Sequence, residues 1–191
     1  MLKKVNMQEL EINGVRGIFI GRFQPFHNGH AAALRYALEN VDELVIVIGS
    51  AQKNHELDNP FTAGERYEMI VRFLKSDGFN RAVYITPLDD IVNHSLWTAM
   101  LKSYLPRFDI IFSNNALVNL LAYESGIKVV PAPLLDREQL MATRIRERII
   151  KGERWEHLVP SVVYSYLLEI SGEQRVRDLA RAKEDIHSGK Q

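Results

Sequence analysis

Five short apolar runs, bounded by turn residues and separated by stretches of helical periodicity, constrain this chain more than any other feature. They are Gly17–Ile20, Leu44–Ile48, Ala82–Ile85, Asp109–Phe112 and Lys128–Val130, rich in the branched residues that suit strands buried on both faces. Between them, apolar residues recur at helical spacing over Ala31–Glu39, Ala63–Lys75, Ser95–Tyr104 and Ala116–Tyr123. The alternation predicts an α/β fold: a doubly wound, Rossmann-like parallel sheet with helices on both faces, because right-handed crossovers return each strand in the same direction. Ligands bind such sheets beyond the carboxyl ends of the strands, so a site is expected after Ile20, Ile48, Ile85 and Phe112. After about Asp136 the pattern turns helical, over Arg144–Lys151, Ser161–Ile170 and Glu173–Ile186. The expectation is one domain over residues 1–191, with an N-terminal preamble (1–16), an α/β core (17–135) and a helical C-terminal region (136–191).

A hydrophobic content of 46% in 191 residues is enough to build a sizeable core. Lys+Arg 24 balances Asp+Glu 24, so no global field draws the chain to nucleic acid or to an acidic membrane. With Cys 0, disulfides, cysteine–zinc sites and thiol nucleophiles are excluded, which fits a reducing compartment. The opening MLKKVNMQELEING lacks the apolar stretch of a signal peptide. No apolar run approaches the roughly 18 residues of a membrane span. A soluble, cytoplasmic protein is expected, with neither nucleic acid nor membrane as partner.

Thr62 and Glu65 have the spacing of a capping box, which makes Thr62 the expected N-cap of the second helix, after a loop from Ser50 to Phe61. The first strand runs into Gly21–His30, GRFQPFHNGH, a strand–loop–helix junction before an alanine-rich helix. A helix start offers unpaired amides and partial positive charge, and so suits an anion such as phosphate. Asn28 is the expected N-cap, Gly29 allows close backbone approach, and His27 and His30, three apart, turn both imidazoles toward one region. Imidazoles, neutral or protonated, donate hydrogen bonds to phosphoryl oxygens, and Arg22 adds a permanent planar fork. Metal ligation by the two histidines lacks a third ligand nearby. The loop has neither the Lys-Ser/Thr ending of a Walker sequence nor a GxGxxG.

A second cluster, Thr143-Arg144-Ile145-Arg146, opens a later helix with charges that oppose the helix dipole by about 0.3 to 1 kcal/mol each, a conflict a bound anion would relieve. Thr143 and Arg146 share a face and Arg146 is the pocket candidate, whereas Arg144 and Arg148 read as solvated surface. Gly49 and Ser50 follow the second strand, where small residues leave room for a nucleotide. Asp89 and Asp90 follow the third, where they either orient a ribose or a metal-bound water or cap the next helix.

GRFQPFHNGH resembles the signature of the HxGH nucleotidyltransferases. Together with VDELVIVIGSAQ, NPFTAGER, the SLW around Trp97, SNNALV and WEHLVP, it resembles the archaeal-type nicotinamide-nucleotide adenylyltransferases from Gly17 to about Ala180. HxGH alone marks the superfamily, and the longer motifs carry the specificity. The resemblance implies transfer of AMP from ATP to nicotinamide mononucleotide by direct attack on the α-phosphate, giving NAD and pyrophosphate, with Mg²⁺ held mainly by the ATP phosphates. It assigns catalysis to His27, His30, Arg22 and Arg146, and substrate binding to Gly21, Phe23, Gly49, Ser50, Trp97 (as a nicotinamide-stacking surface), Asn115 and Thr143. It also implies a homo-oligomer, often a hexamer. Met141 stands where the second motif usually has serine, His94 where an asparagine is frequent, and Asn114 where glycine is common. Three other readings are the same transfer to nicotinic acid mononucleotide, flavin mononucleotide or phosphopantetheine; a non-catalytic nucleotide sensor that binds without turnover; and, ranked last, a purely structural α/β domain that shows no nucleotide-dependent thermal shift.

Overall fold

Hydrophobic runs without alternation call for strands covered on both faces, and the computed structural model, which describes residues 14–132 and 141–188, has this arrangement. The preamble expected over 1–16 lies, up to residue 13, outside the described residues. Strands β1 (Arg16–Gly21), β2 (Glu43–Ile48), β3 (Ala82–Pro87), β4 (Ile110–Phe112) and β5 (Lys128–Val130) form a parallel sheet in the order β3-β2-β1-β4-β5. The helices are α1 (Asn28–Glu39), α2 (Ala63–Asp77), α3 (Trp97–Tyr104), α4 (Ala116–Glu124), α5 (Ala142–Lys151), α6 (Ser161–Glu169) and α7 (Gly172–Ser188).

The two faces of the sheet bury different partners. Phe19, Leu44, Ile46, Ile48 and Phe112 pack with residues of α1, α2 and the three C-terminal helices, among them Leu34, Phe73, Ile145, Val163 and Val176. Ile18, Val45, Val47 and Ile111 pack on the opposite side with Leu101 of α3 and Ala122 of α4. Each Leu, Ile or Val taken out of water there contributes roughly 1.5–3 kcal/mol. The chain winds outward from β1 to β2 and β3, then crosses back to β4 and β5. The winding therefore reverses at β1 and β4, and their carboxyl ends open the crevice where such sheets bind ligands.

Two elements differ from the sequence expectation. Helix α1 starts at Asn28, three residues before Ala31, because His27 caps it. Ser95–Tyr104 divides into a 3-10 turn, His94–Leu96, and α3. The Asn93 side chain accepts from the Ser95 amide at 3.1 Å and tightens that first turn.

Thr62 caps α2 as expected: its hydroxyl accepts from the Glu65 amide, and the Glu65 carboxylate accepts from the Thr62 amide at 2.8 Å. That carboxylate also receives both guanidinium nitrogens of Arg175 on α7, at 2.7 and 2.8 Å, which ties the C-terminal helices to α2. Burial works against the charge on Glu65, but hydrogen bonds from Arg175 and Thr62 outweigh it and hold the carboxyl below its ordinary 4.5. Its contribution is complete above that value and is lost as pH falls through the lowered one. Glu65→Gln, which keeps the capping geometry but not the charge, is expected to cost about 1–2 kcal/mol at pH 7. The difference should shrink at strongly acidic pH, as read by urea unfolding across a pH series. A pH-independent difference would mean the charge has no part in it. Among the described residues no helix is long and apolar enough to cross a membrane.

Candidate active site

Gly21 ends β1, and the chain turns sharply there. A Cβ on Gly21 would lie 2.7 Å from the Phe23 ring, so only glycine lets that ring fold back beneath the strand end. Phe23, at φ 54, is buried, and its ring meets the His30 imidazole edge-on at 4.8 Å, with Phe26 behind at 5.6 Å. The Phe23 side chain thus supports His30 from below and is not part of the open surface.

His27, not Asn28, is the N-cap of α1. The His30 amide donates to His27 Nδ1 at 3.2 Å, and the His27 amide donates to His30 Nδ1 at 3.3 Å. This is a capping box in which imidazoles replace the usual hydroxyl and carboxylate. Its consequence is chemical. With both Nδ1 atoms accepting, each neutral ring carries its proton on Nε2, leaving two Nε2–H donors. The rings stack at 3.6 Å. Burial pushes His27 down to about 4; burial and then the neighbouring His27 push His30 well below its ordinary value. Of the two protonation states the sequence leaves open, the free protein holds the neutral one. Asn28, displaced as cap, donates instead to the His157 carbonyl at 2.9 Å, pinning the helix start to the C-terminal region. The first-turn amides of Asn28 and Gly29 have no helical acceptors, which keeps positive potential beside the rings.

Arg146 comes to this junction from α5. It is 4% exposed, and its guanidinium donates to the Gln24 carbonyl at 2.8 Å and to Asp58 Oδ1 at 3.1 Å. Burial lowers its pKa, Asp58 opposes that shift, and Arg22 adds to it. Arg144 pairs with Glu147 and Arg148 donates to the Arg154 carbonyl, both on the surface side expected of them. Thr143 is exposed in the first turn of α5. Met141, at the N-cap of α5, makes no capping bond from its side chain, so the missing serine leaves that helix start without one.

Six of the expected residues, Gly21, Arg22, Gly49, Ser50, Trp97 and Asn115, line one cavity of about 700 Å³ at the carboxyl edge of the sheet. His27, His30, Arg146, Thr143 and Phe23 lie outside its lining; Gly21 and the exposed Arg22 join it to the histidine loop. The Ser50 hydroxyl, at φ 50, donates to Asp90 at 2.8 Å, and Lys53 lies 2.9 Å from the same carboxylate. Burial works against the Asp90 charge, but hydrogen bonds from Lys53 and Ser50 hold its pKa below the ordinary value. Asp89 and Asp90 both line the cavity, and the cap of the next turn is Asn93. Trp97 and His94 also line the cavity. Asn115 caps α4 through Oδ1, accepting from the Leu117 and Val118 amides, which turns its remaining capacity into amide donors.

Sequence reasoning missed Arg66. It is fully buried on α2, and its guanidinium donates to the carbonyls of Arg22, Gly49, Ser50 and Ala51, at 2.9 to 3.3 Å, and to Thr62 O at 3.2 Å. Burial, then the charge of Arg22, pushes its pKa down to about 10, so it stays cationic at neutral pH. It joins the loops after β1 and β2 into one rigid edge. Gln24, also buried, exchanges both amide bonds with the backbone of Phe61. The signal lay within NPFTAGER, where Thr62 and Glu65 account for the helix start but leave the next residue unexplained.

The model of the cytidylyltransferase-like family matches residues 18–148. The chain is 49% identical over 166 residues to the nicotinamide-nucleotide adenylyltransferase of Pyrococcus horikoshii, a match covering 87% of this chain and 89% of that one. It is 46% identical over 165 residues to the protein of the same name from Saccharolobus solfataricus, covering 86% and 96%. A solved structure, a bifunctional NMN adenylyltransferase/ADP ribose pyrophosphatase from Francisella tularensis complexed with AMP and Mn ion, superimposes with a TM-score of 0.76 at 24% identity, and shares the fold. The match covers 91% of this chain and 54% of that one, so the chain spans about half the length of that structure.

Proposed function

The chain belongs to the cytidylyltransferase-like family, and from that premise we infer that it transfers the adenylyl group of ATP to nicotinamide mononucleotide, forming NAD and pyrophosphate. The observation that carries the reading is the junction at Gly21–Arg22, where two neutral imidazole donors at a helix start meet a cavity of about 700 Å³. A 5′-phosphate oxygen of the acceptor attacks the α-phosphorus of ATP in line. The new O–P bond forms as the bond from the α-phosphorus to the α,β-bridging oxygen breaks, and pyrophosphate leaves with that electron pair. No covalent intermediate with the protein is needed.

Catalysis then comes from alignment and charge stabilisation. The Nε2–H groups of His27 and His30 donate to phosphoryl oxygens as negative charge shifts toward the leaving group. Arg22 and Arg146 hold the triphosphate, and Thr143 sits beside it at the start of α5. Gly49, Ser50 and Asn115 contact nucleotide, and Trp97 offers a face for the nicotinamide ring. Mg²⁺ bound to phosphate oxygens would supply further charge neutralisation and orientation. Among the described residues no group of three or more histidine, cysteine, aspartate or glutamate side chains is placed to hold an ion. The reaction belongs in the cytoplasm. A homo-oligomer, with a hexamer as the favoured form, is the expected assembly.

The test is an acceptor panel. Purified protein with ATP and Mg²⁺ is given nicotinamide mononucleotide, nicotinic acid mononucleotide, flavin mononucleotide or phosphopantetheine in turn, and dinucleotide and pyrophosphate are measured. NAD and pyrophosphate in equal amounts are expected with the first. Binding without turnover on every acceptor would make the protein a nucleotide sensor instead.

A further inference from the structure

Arg146 is buried except along one edge, and that edge carries a carboxylate. Its inner nitrogen is fixed to the Gln24 carbonyl of the histidine loop at 2.8 Å. Its other terminal nitrogen meets Asp58 Oδ1 at 3.1 Å, and the Asp58 side chain is 69% exposed while that of Arg146 is 5% exposed. Asp58 thus lies on the solvent side of the guanidinium, on a loop that reaches it from 88 residues away in sequence. A carboxylate and a phosphoryl group present the same paired oxygens to a guanidinium fork. An anion approaching Arg146 from solvent meets Asp58 first.

We propose that Asp58 is a positioning residue that occupies the phosphate face of Arg146 in the free protein and yields it to the triphosphate when ATP binds. The proposal rests on Arg146 holding the triphosphate. The carboxylate serves two ends: it pairs the outer nitrogen of a buried cation, and it holds the fork in place while the inner nitrogen stays on the Gln24 carbonyl of the histidine loop. Its exposure keeps the pair weak enough to exchange, because ion pairs with a well-solvated partner contribute little net free energy. ATP affinity is therefore set partly by competition within the protein. Bound ATP swings the Asp58 side chain into water.

The test is a double-mutant cycle read by calorimetric titration of ATP, and of inorganic tripolyphosphate, onto the full chain. Asp58→Asn, which removes the competing charge and keeps the shape, is expected to tighten both ligands about 3- to 5-fold. Asp58→Glu should bind like the parent protein. The gain must vanish in the Arg146→Ala background, since general relief of repulsion between a carboxylate and a polyanion would persist there. Free Asp58→Asn protein should also melt lower than the parent, with the difference erased by saturating ATP, a response a purely structural contact would not give. If Arg146→Ala weakens ATP but Asp58→Asn leaves it unchanged, or tightens it equally with and without Arg146, the proposal is overturned and the role of Arg146 stands. If Arg146→Ala leaves ATP binding unaltered, both fall.

Discussion

His30→Ala is expected to lower kcat by about 10²- to 10³-fold, the usual cost of removing one well-placed donor to a developing charge, with much less effect on the KM for either substrate. The expectation follows from the capping box. Because each Nδ1 is committed to a backbone amide, the alanine variant loses both an Nε2–H at the phosphates and an acceptor for the His27 amide. A second variant separates these losses. Gln at position 30 retains an acceptor for that amide, as glutamine does in ordinary capping boxes, so His30→Gln should melt close to the parent protein while remaining impaired in turnover. Parental kcat in His30→Ala would remove this histidine from the chemistry.

The same geometry sets a pH dependence. An unfolded chain binds protons at both histidines near 6.5, whereas the folded protein keeps His27 neutral down to about 4, with His30 also lowered. Unfolding therefore takes up protons in this interval. The stabilisation these rings contribute is complete above pH 6.5 and is lost as pH falls toward 4. Urea unfolding should show that slope, reduced in the His30 variants. The kcat/KM profile of the free enzyme should show no titration centred at 6.5, since both rings already act as neutral donors there.

Arg66→Met is expected to cost about 3–5 kcal/mol of stability, within the range for breaking a buried ionic network, and to depress activity more than tenfold in whatever fraction folds. Its guanidinium is fully buried and satisfies carbonyls from two loops. Methionine fills a similar volume but takes the guanidinium donor from the Arg22, Gly49 and Ala51 carbonyls in the interior, while Ser50 O keeps the Lys53 amide; a buried carbonyl left without a donor costs on the order of 1–3 kcal/mol. Lysine offers a compact charge with three donors and cannot span both loops. Arg66→Lys should therefore recover part of the stability while KM for both substrates stays raised. The measurement is urea unfolding followed by steady-state kinetics at a temperature where the variants remain folded. Stability within 1 kcal/mol of the parent, with normal kinetics, would show that the loops hold their places without Arg66.

Most of the fold was legible because its signals are local. The runs around Ile18, Val45 and Ile111 lack alternation because they are covered on both faces, and that pattern requires no knowledge of partners. Thr62 and Glu65 announce their helix because a capping box closes within four residues. The cap at His27 was misplaced by one residue for a local reason too: asparagine is the commoner cap, and histidine takes the role here only because His30 can reciprocate. The site was legible in part. His27 and His30 share a turn, so their spacing alone brings the rings together, and the strand ends bring Gly21, Arg22, Gly49, Ser50 and Asn115 to one edge. Phe23 was assigned a contact surface that its burial denies to the ring, because nothing local reveals that Gly21 leaves space beneath the strand end.

Residue order alone settled what depends on neighbours a few positions apart: which segments are strands, which are helices, where most of them begin, and that two imidazoles meet at one helix start. Folding in three dimensions decided what depends on distant segments meeting. It placed Arg146 on the carbonyl of Gln24, 122 residues away, set Asp58 on its open edge, and buried Arg66 between two strand-end loops. The physical reason is that a buried guanidinium takes its geometry from whichever carbonyls and carboxylates chain crossings bring within about 3 Å. No spacing within a single segment encodes those crossings. The neutral state of the histidines belongs to the same class, since burial sets it, and burial is a property of the whole packed molecule.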